Sequence, residues 1–322
     1  MPAISRLYVR LPNWVGDVCM SLPALHLLQQ AGPPLVLCAR PWALDLLAGL
    51  PAHDFVALRG KLREDRAAVA AHRRALGREA RAARGLLIPD SLSSALVFRL
   101  AGLPSAGFRD EGRSMLLRWP IAKPGPALHT VQAWHYLART ALRQWSLPAA
   151  SDAPGPRLGL PLTAAHREAA RALLREQGLD GRPFVLIAPT AVGLHHGRVK
   201  VWPHFDALTR ALQADGHTVI MCPPPAEAGQ ARANAPTATL LAPLGLGAYA
   251  ALAAQARLVV CNDSGVSHIA AAVGARQLTL FGVTQASRTG PWSPTARGLG
   301  SDLAWPEIDA VRQTVDGLLA EG

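Results

Sequence analysis

The chain contains no run of about 18 uninterrupted apolar residues, so no transmembrane helix is expected. Its opening stretch, MPAISRLYVRLPNWVGD, lacks the apolar core and small-residue cleavage site of a signal peptide, which points to a cytoplasmic protein. Four cysteines, Cys19, Cys38, Cys222 and Cys261, lie far apart with no CxxC. That spacing suits reduced thiols better than disulfides or a zinc site. No GxGxxG follows a strand pattern, which disfavours a nicotinamide or flavin enzyme, and GxxxxGK[ST] is missing. No HExxH or DxD cluster offers metal ligands, so neither a metal nor a cofactor is expected. Internal repeats and low-complexity tracts are also missing. Lysine is nearly so: only Lys61, Lys123 and Lys200 stand among 33 basic residues. An ammonium kept in so Arg-rich a chain hints that a compact charge matters there.

What is present is apolar and alternating. Half of the 322 residues are apolar and 17% are charged, enough for real cores in about two domains. Net charge is +11, and residues 1–160 carry +10 of it. Within residues 59–84, nine basic side chains face three acidic ones. Such a half attracts nucleic acid, an acidic membrane surface or a phosphorylated substrate, unless the run is simply the solvated face of a helix. RNP, KH and helix-turn-helix signatures and interleaved aromatics are missing, so no nucleic-acid partner is expected.

Strand patterns fall near 6–11, 34–38, 54–58, 86–89 and 105–108. Helix patterns fall near 18–30, 41–49, 63–83, 91–101 and 131–146, with a Pro/Gly-rich patch at 120–126. LPAASDAPGPRLGLP (147–161) has the composition of a linker. Alternation then resumes: helices near 163–178, 203–215, 247–256, 264–273 and 307–320, and strands near 184–190, 217–223, 257–263 and 277–282. Short apolar strands separated by helices imply parallel sheets, hence two α/β domains, 1–155 and 156–322.

Ligands of parallel sheets sit beyond the carboxyl ends of the strands. APTAVGLHHGRVKVWP (188–203) places Thr190 and Lys200 there, a hydroxyl and an ammonium suited to a diphosphate, though an ordinary polar loop would read the same. In VVCNDSGVSHIAAAVGA (259–275), Asp263, Ser264 and Gly265 open a helix whose amides form an anion site. Asp263 alone could be only a helix cap, and His268 a satisfied buried histidine. CPPPAEAGQ (222–230) brings Glu227 to the same edge, for a ribose diol or as a helix N-terminal charge. Asp17, just past Gly16 in LPNWVGDVCMSLP, is either a general base or a carboxylate complementing a helix start.

PNWVGDVCMSLPAL (12–25), LLIPDSLSSALVFRLAGLPSAGFR (86–109), APTAVGLHHGRVKVWPHF (188–205) and NDSGVSHIAAAVGARQLTLFG (262–282) resemble, in order, the glycosyltransferase family 9 heptosyltransferases. The resemblance implies the GT-B fold, α/β with two Rossmann-like parallel-sheet domains facing across a cleft. In it the N-terminal domain takes the acceptor and the C-terminal domain the nucleotide sugar. It implies an inverting, metal-independent transfer of heptose from ADP-L-glycero-D-manno-heptose to the lipopolysaccharide inner core. The alternative is another nucleotide sugar or a different acceptor. It makes Asp17 the general base, and Lys200 the group stabilising the departing ADP. Thr190, Lys200, Glu227, Asp263, Ser264, Gly265 and His268 become donor-binding residues. Asn13, Arg59, Lys61, Arg63 and Arg66 become candidates for an anionic acceptor, with peripheral contact at the cytoplasmic face of the inner membrane. The last helix is a candidate to pack back on the N-terminal domain.

Overall fold

The computed structural model describes residues 4–110, 112–125, 128–195 and 197–321. Residues 1–3 of the opening stretch, Pro126 of the Pro/Gly-rich patch and His196 of the 188–203 loop lie outside the described residues. The chain divides into two compact units, Met1–Gly155 and Pro156–Gly322, at a point inside the Pro/Gly-rich stretch 147–161.

The first unit is built on β1 (Leu7–Arg10), β2 (Leu35–Ala39), β3 (Asp54–Ala57), β4 (Arg84–Leu87), β5 (Ser105–Phe108) and β6 (Trp119–Ile121). All pair parallel, in the order β3-β2-β1-β4-β5-β6. The inner strands are almost wholly buried, and β2, LVLCA, is apolar throughout, as in a parallel sheet covered on both faces. Tyr8, Val36 and Leu87 from the sheet meet Val69 and Phe98 from helices in one buried cluster. Two helices differ from expectation. The first breaks at Ser21 into Val15–Met20 and Leu22–Gln30, where Pro23 suits a new helix start. The long basic helix stops at Ala75 and tightens into a 3₁₀ turn, Gly77–Ala82, with Gly77 at φ +55°.

In the second unit come β7 (Phe184–Ala188), a small hairpin of β8 (Leu194–His195) and β9 (Arg198–Val199), then β10 (Thr218–Met221), β11 (Thr239–Leu240), β12 (Leu258–Asn262), β13 (Gln277–Phe281) and β14 (Ala296–Gly300). The sheet is parallel, in the order β11-β10-β7-β12-β13-β14. Both sheets therefore share the doubly wound topology expected for this class.

The last helix is Ile308–Ala320. Its apolar face is spent on the second unit's own core: Val311, Val315, Leu318 and Leu319 cluster with Val185, Val219, Val260 and Leu280. Arg257 and Arg276 donate to the carbonyls of Leu319 (2.7 Å) and Leu318 (2.8 Å), the groups a helix end leaves unsatisfied.

Candidate active site

Strand order reverses direction at β1/β4 in the first sheet and at β7/β12 in the second. A crevice opens at such a switch point, beyond the carboxyl ends. The loops carrying Asp17, Thr190, Lys200, Asp263 and Ser264 leave the sheets at these two places, while Glu227 follows β10 and the basic run follows β3.

After β1 the chain turns through Pro12, exposed Asn13 and exposed Trp14 into the helix Val15–Met20. Asp17 sits in its first turn, partly buried. Burial pushes its carboxyl pKa up to about 6 from 3.8. A carboxylate that mainly complemented a helix start would shift the other way. Burial thus brings the carboxyl toward neutral pH, where such a group can exchange a proton.

The basic candidates lie beyond β3, two strands from β1. Asp65, buried, accepts from the backbone N–H groups of Arg59 (2.7 Å) and Gly60 (3.0 Å) and so fixes the turn before the helix Leu62–Ala75. Lys61 pairs with Glu64 at 3.0 Å in the open, and Arg66 reaches the Leu100 carbonyl at 3.4 Å. Gly60 has φ +86°, and a Cβ there would stand 2.9 Å from Nη1 of Arg40, which lies over the turn. Buried Arg10 donates to Asn13 Oδ1 at 2.7 Å. Arg10 and Arg40 were not singled out from the sequence, although each follows directly at or after a strand end on the same edge.

A second network went unread in the sequence. Arg113, fully buried, donates from Nε to the Phe108 carbonyl (2.7 Å) and from Nη1 to that of Pro89 (2.6 Å); its Nη2 stands 3.5 Å from Asp90. Lys123 bridges Asp90 (2.7 Å) and Asp110. Burial alone would lower the Lys123 pKa; hydrogen bonds to Asp110 and Asp90, and their charges, hold it above its usual value. Three loops, following β4, β5 and β6, are thereby tied together at the carboxyl edge.

In the second unit, Thr190 is buried just beyond β7 and donates its hydroxyl to Glu227 Oε2 at 2.5 Å. The hydroxyl proton thereby orients the Glu227 carboxylate. Glu227 ends the 3₁₀ turn after β10 and leads into the helix Ala228–Asn234. Asn234 in turn holds the Pro189 carbonyl at 2.7 Å. Ser264 caps the helix Gly265–Ala272, accepting from the Val266 N–H at 3.3 Å, and Asp263 stands partly exposed beside it. His268, one turn further, is buried. Lys200 is partly buried and makes no ion pair among the described residues. Beside it Arg198 donates to the carbonyls of Gly282 (3.0 Å), Asp302 (3.0 Å) and Leu303 (3.2 Å), holding the hairpin to the loops after β13 and β14. A cavity of about 250 Å³ lies at these last two loops, lined by Phe281, Thr284, Gln285, Ser287, Ser301 and Asp302.

One crevice thus carries a carboxylate near its titration point, and the other a capped helix start, an ammonium and an oriented acid. Across the sequence, the profile of glycosyltransferase family 9 (heptosyltransferase) matches residues 69–318. The chain belongs to glycosyltransferase family 9. Within that family, it is 28% identical over 318 residues to lipopolysaccharide heptosyltransferase 2 of Escherichia coli K12, covering 89% of this chain and 85% of that protein. The solved structure of an E. coli ADP-heptose LPS heptosyltransferase II superposes with a TM-score of 0.77 at 24% identity, covering 98% of this chain and 99% of that one. E. coli heptosyltransferase WaaC with ADP gives 0.73 at 20%, covering 97% and 99%. These structures share the GT-B class, and the family 9 chain is a glycosyltransferase.

Its four cysteines are all buried free thiols. No described helix is long and apolar enough to cross a membrane.

Proposed function

We propose that this glycosyltransferase moves a heptose, with inversion and without a metal, from ADP-L-glycero-D-manno-heptose to the lipopolysaccharide inner core. The observation that carries the reading is the β7/β12 crevice of the second unit. Glu227, fixed by Thr190, would take the ribose diol; the amides at Gly265 and the Lys200 ammonium would take the diphosphate. The choice of sugar and acceptor is supported by two relatives, a lipopolysaccharide heptosyltransferase 2 and an ADP-heptose LPS heptosyltransferase II.

In the reaction, Asp17 removes the proton of an acceptor hydroxyl as its oxygen attacks the anomeric carbon. The bond from that carbon to the β-phosphate oxygen breaks, ADP departs with the electron pair, and the configuration inverts. Lys200 and the helix start meet the charge that grows on the departing oxygen, the part a divalent cation plays elsewhere. On this reading no cofactor takes part, and chelation by EDTA leaves the rate unchanged.

Thermal melts without added metal test the nucleotide. ADP at about 100 times its Kd is expected to stabilise the chain by roughly 2.7 kcal/mol, while UDP and GDP are not. A response to UDP or GDP in place of ADP would discard the ADP-sugar donor and keep the fold.

The acceptor side rests on the first unit's basic edge. Replacing Arg59, Lys61, Arg63 and Arg66 together with Gln is expected to raise the acceptor KM at least tenfold, with ADP affinity unchanged. Steady-state kinetics beside calorimetry decide it, and equal loss of both would overturn the assignment. Large apolar side chains are also exposed in the loops and helices that follow the strands of this sheet. Trp14 (70% exposed), Leu44, Leu62, Leu92 and Met115 (88% exposed) each stand close after a strand on that same edge. An amphiphilic, anionic acceptor seated in the cytoplasmic face of a membrane matches both properties, and makes the contact peripheral and the location cytoplasmic.

A further inference from the structure

The loop carrying Thr190 and Lys200 leaves the sheet at Ala188 and runs to Trp202, just before the helix Phe205–Ala214. Both of its roots are bonded to one side chain. Asn262, the last residue of β12, is fully buried. Its Nδ2 donates to the carbonyls of Ala188 and Thr190, each at 3.3 Å. Its Oδ1 accepts from the Trp202 backbone N–H at 2.9 Å. Trp202 is itself fully buried, packed edge-on against Phe205 and donating from Nε1 to the Pro306 carbonyl at 2.8 Å. The next residues after Asn262 are Asp263 and Ser264, the start of the capped helix.

We infer that Asn262 is a positioning residue: it sets the distance between the Thr190–Lys200 loop and the helix start at Gly265, and so shapes the diphosphate subsite without touching the ligand. The amide is chemically specific for the task. Two carbonyls need a donor and one N–H needs an acceptor, and a primary amide offers both from one planar group. Aspartate keeps the shape and the acceptor but turns a carboxylate oxygen toward two carbonyl oxygens. Serine keeps one short polar group and cannot span both roots. The inference rests on the proposed nucleotide site.

The test uses the full chain and ADP in calorimetry, with Asn262→Asp, Asn262→Ser, Lys200→Ala and Asn262→Asp/Lys200→Ala. Each Asn262 variant is expected to weaken ADP binding by roughly tenfold to a hundredfold, the scale of losing buried polar partners. In the double variant the Asn262 change should add less than threefold, because Lys200 is the group it places. Hydrogen exchange gives a second readout: the Trp202 amide should lose protection in Asn262→Ser while amides of β10 and β13 keep theirs. If the wild type binds ADP and Lys200→Ala weakens it but neither Asn262 variant does, the positioning role is overturned and the nucleotide site stands. Full additivity in the double variant also overturns it. If the wild type does not bind ADP, the nucleotide reading fails first, and retained Trp202 protection in Asn262→Ser would remove the positioning claim independently.

Discussion

Asp17→Asn is expected to lower kcat by about a thousandfold, the range for loss of a general base, while making the protein more stable at neutral pH. The two effects have one cause. Burial holds the carboxyl pKa at about 6, against 3.8 for the ordinary group. Between those values the native state binds the proton more tightly than the unfolded chain, so stability falls as pH rises through that window. Above it, the buried charge costs up to about 3 kcal/mol at 1.36 kcal/mol per pKa unit. Asparagine keeps the shape and removes the charge. Tm at pH 8 should therefore rise by about 5 °C, and the two proteins should melt alike near pH 4. The rate of the wild type should climb through about pH 6 to a plateau, since only the carboxylate accepts a proton. In the variant that limb should vanish. An Asp17→Asn protein that melts lower at pH 8 would mean the charge is serving the helix start, and a near-normal rate would remove Asp17 from the chemistry.

The inner strands were legible because a strand covered on both faces reads as a continuous apolar run. LVLCA and FVLIA are of this kind, and LVVCN is so up to its last residue. The edge strands β6, β11 and β14 were not. WPI contains a proline, TL has two residues, and ARGLG contains two glycines. Edges bury one side at most and tolerate residues that a central strand rejects. The same logic separates the site residues. The positions of Asp17, Thr190, Glu227, Asp263 and Ser264 were legible because each stands just past an apolar run, where a parallel sheet presents its loops. The roles of Asn262, Arg113 and Lys123 were not. Asn262 joins residues 188 and 202 to residue 262, and Arg113 joins 89 and 108. No local period reports a bond across that separation. Thr190 shows the converse: its position was legible, but its hydroxyl's partner, Glu227, was 37 residues away.

The Lys200→Ala protein should lose about a hundredfold to a thousandfold in kcat, the scale for removing one electrostatic contact to a developing oxyanion. Ground-state ADP affinity should fall less, because the charge on the departing oxygen grows only as the glycosidic bond breaks. Stability without ligand should stay within about 0.5 kcal/mol, since the side chain makes no ion pair among the described residues and lies on a partly exposed loop. The stabilisation by saturating ADP should shrink, which separates a lost ligand contact from a damaged fold. Arginine is the sharper substitution. This chain uses Arg at nearly every basic position, so if charge alone were needed at residue 200 the guanidinium would serve. A compact ammonium concentrates its charge on one phosphate oxygen, whereas the planar fork spreads it and reaches further. Lys200→Arg should therefore recover ADP binding more than it recovers kcat. If Lys200→Arg restores both, the site needs only a positive field; if Lys200→Ala retains kcat within tenfold, the leaving group is met by the helix start at Gly265 alone.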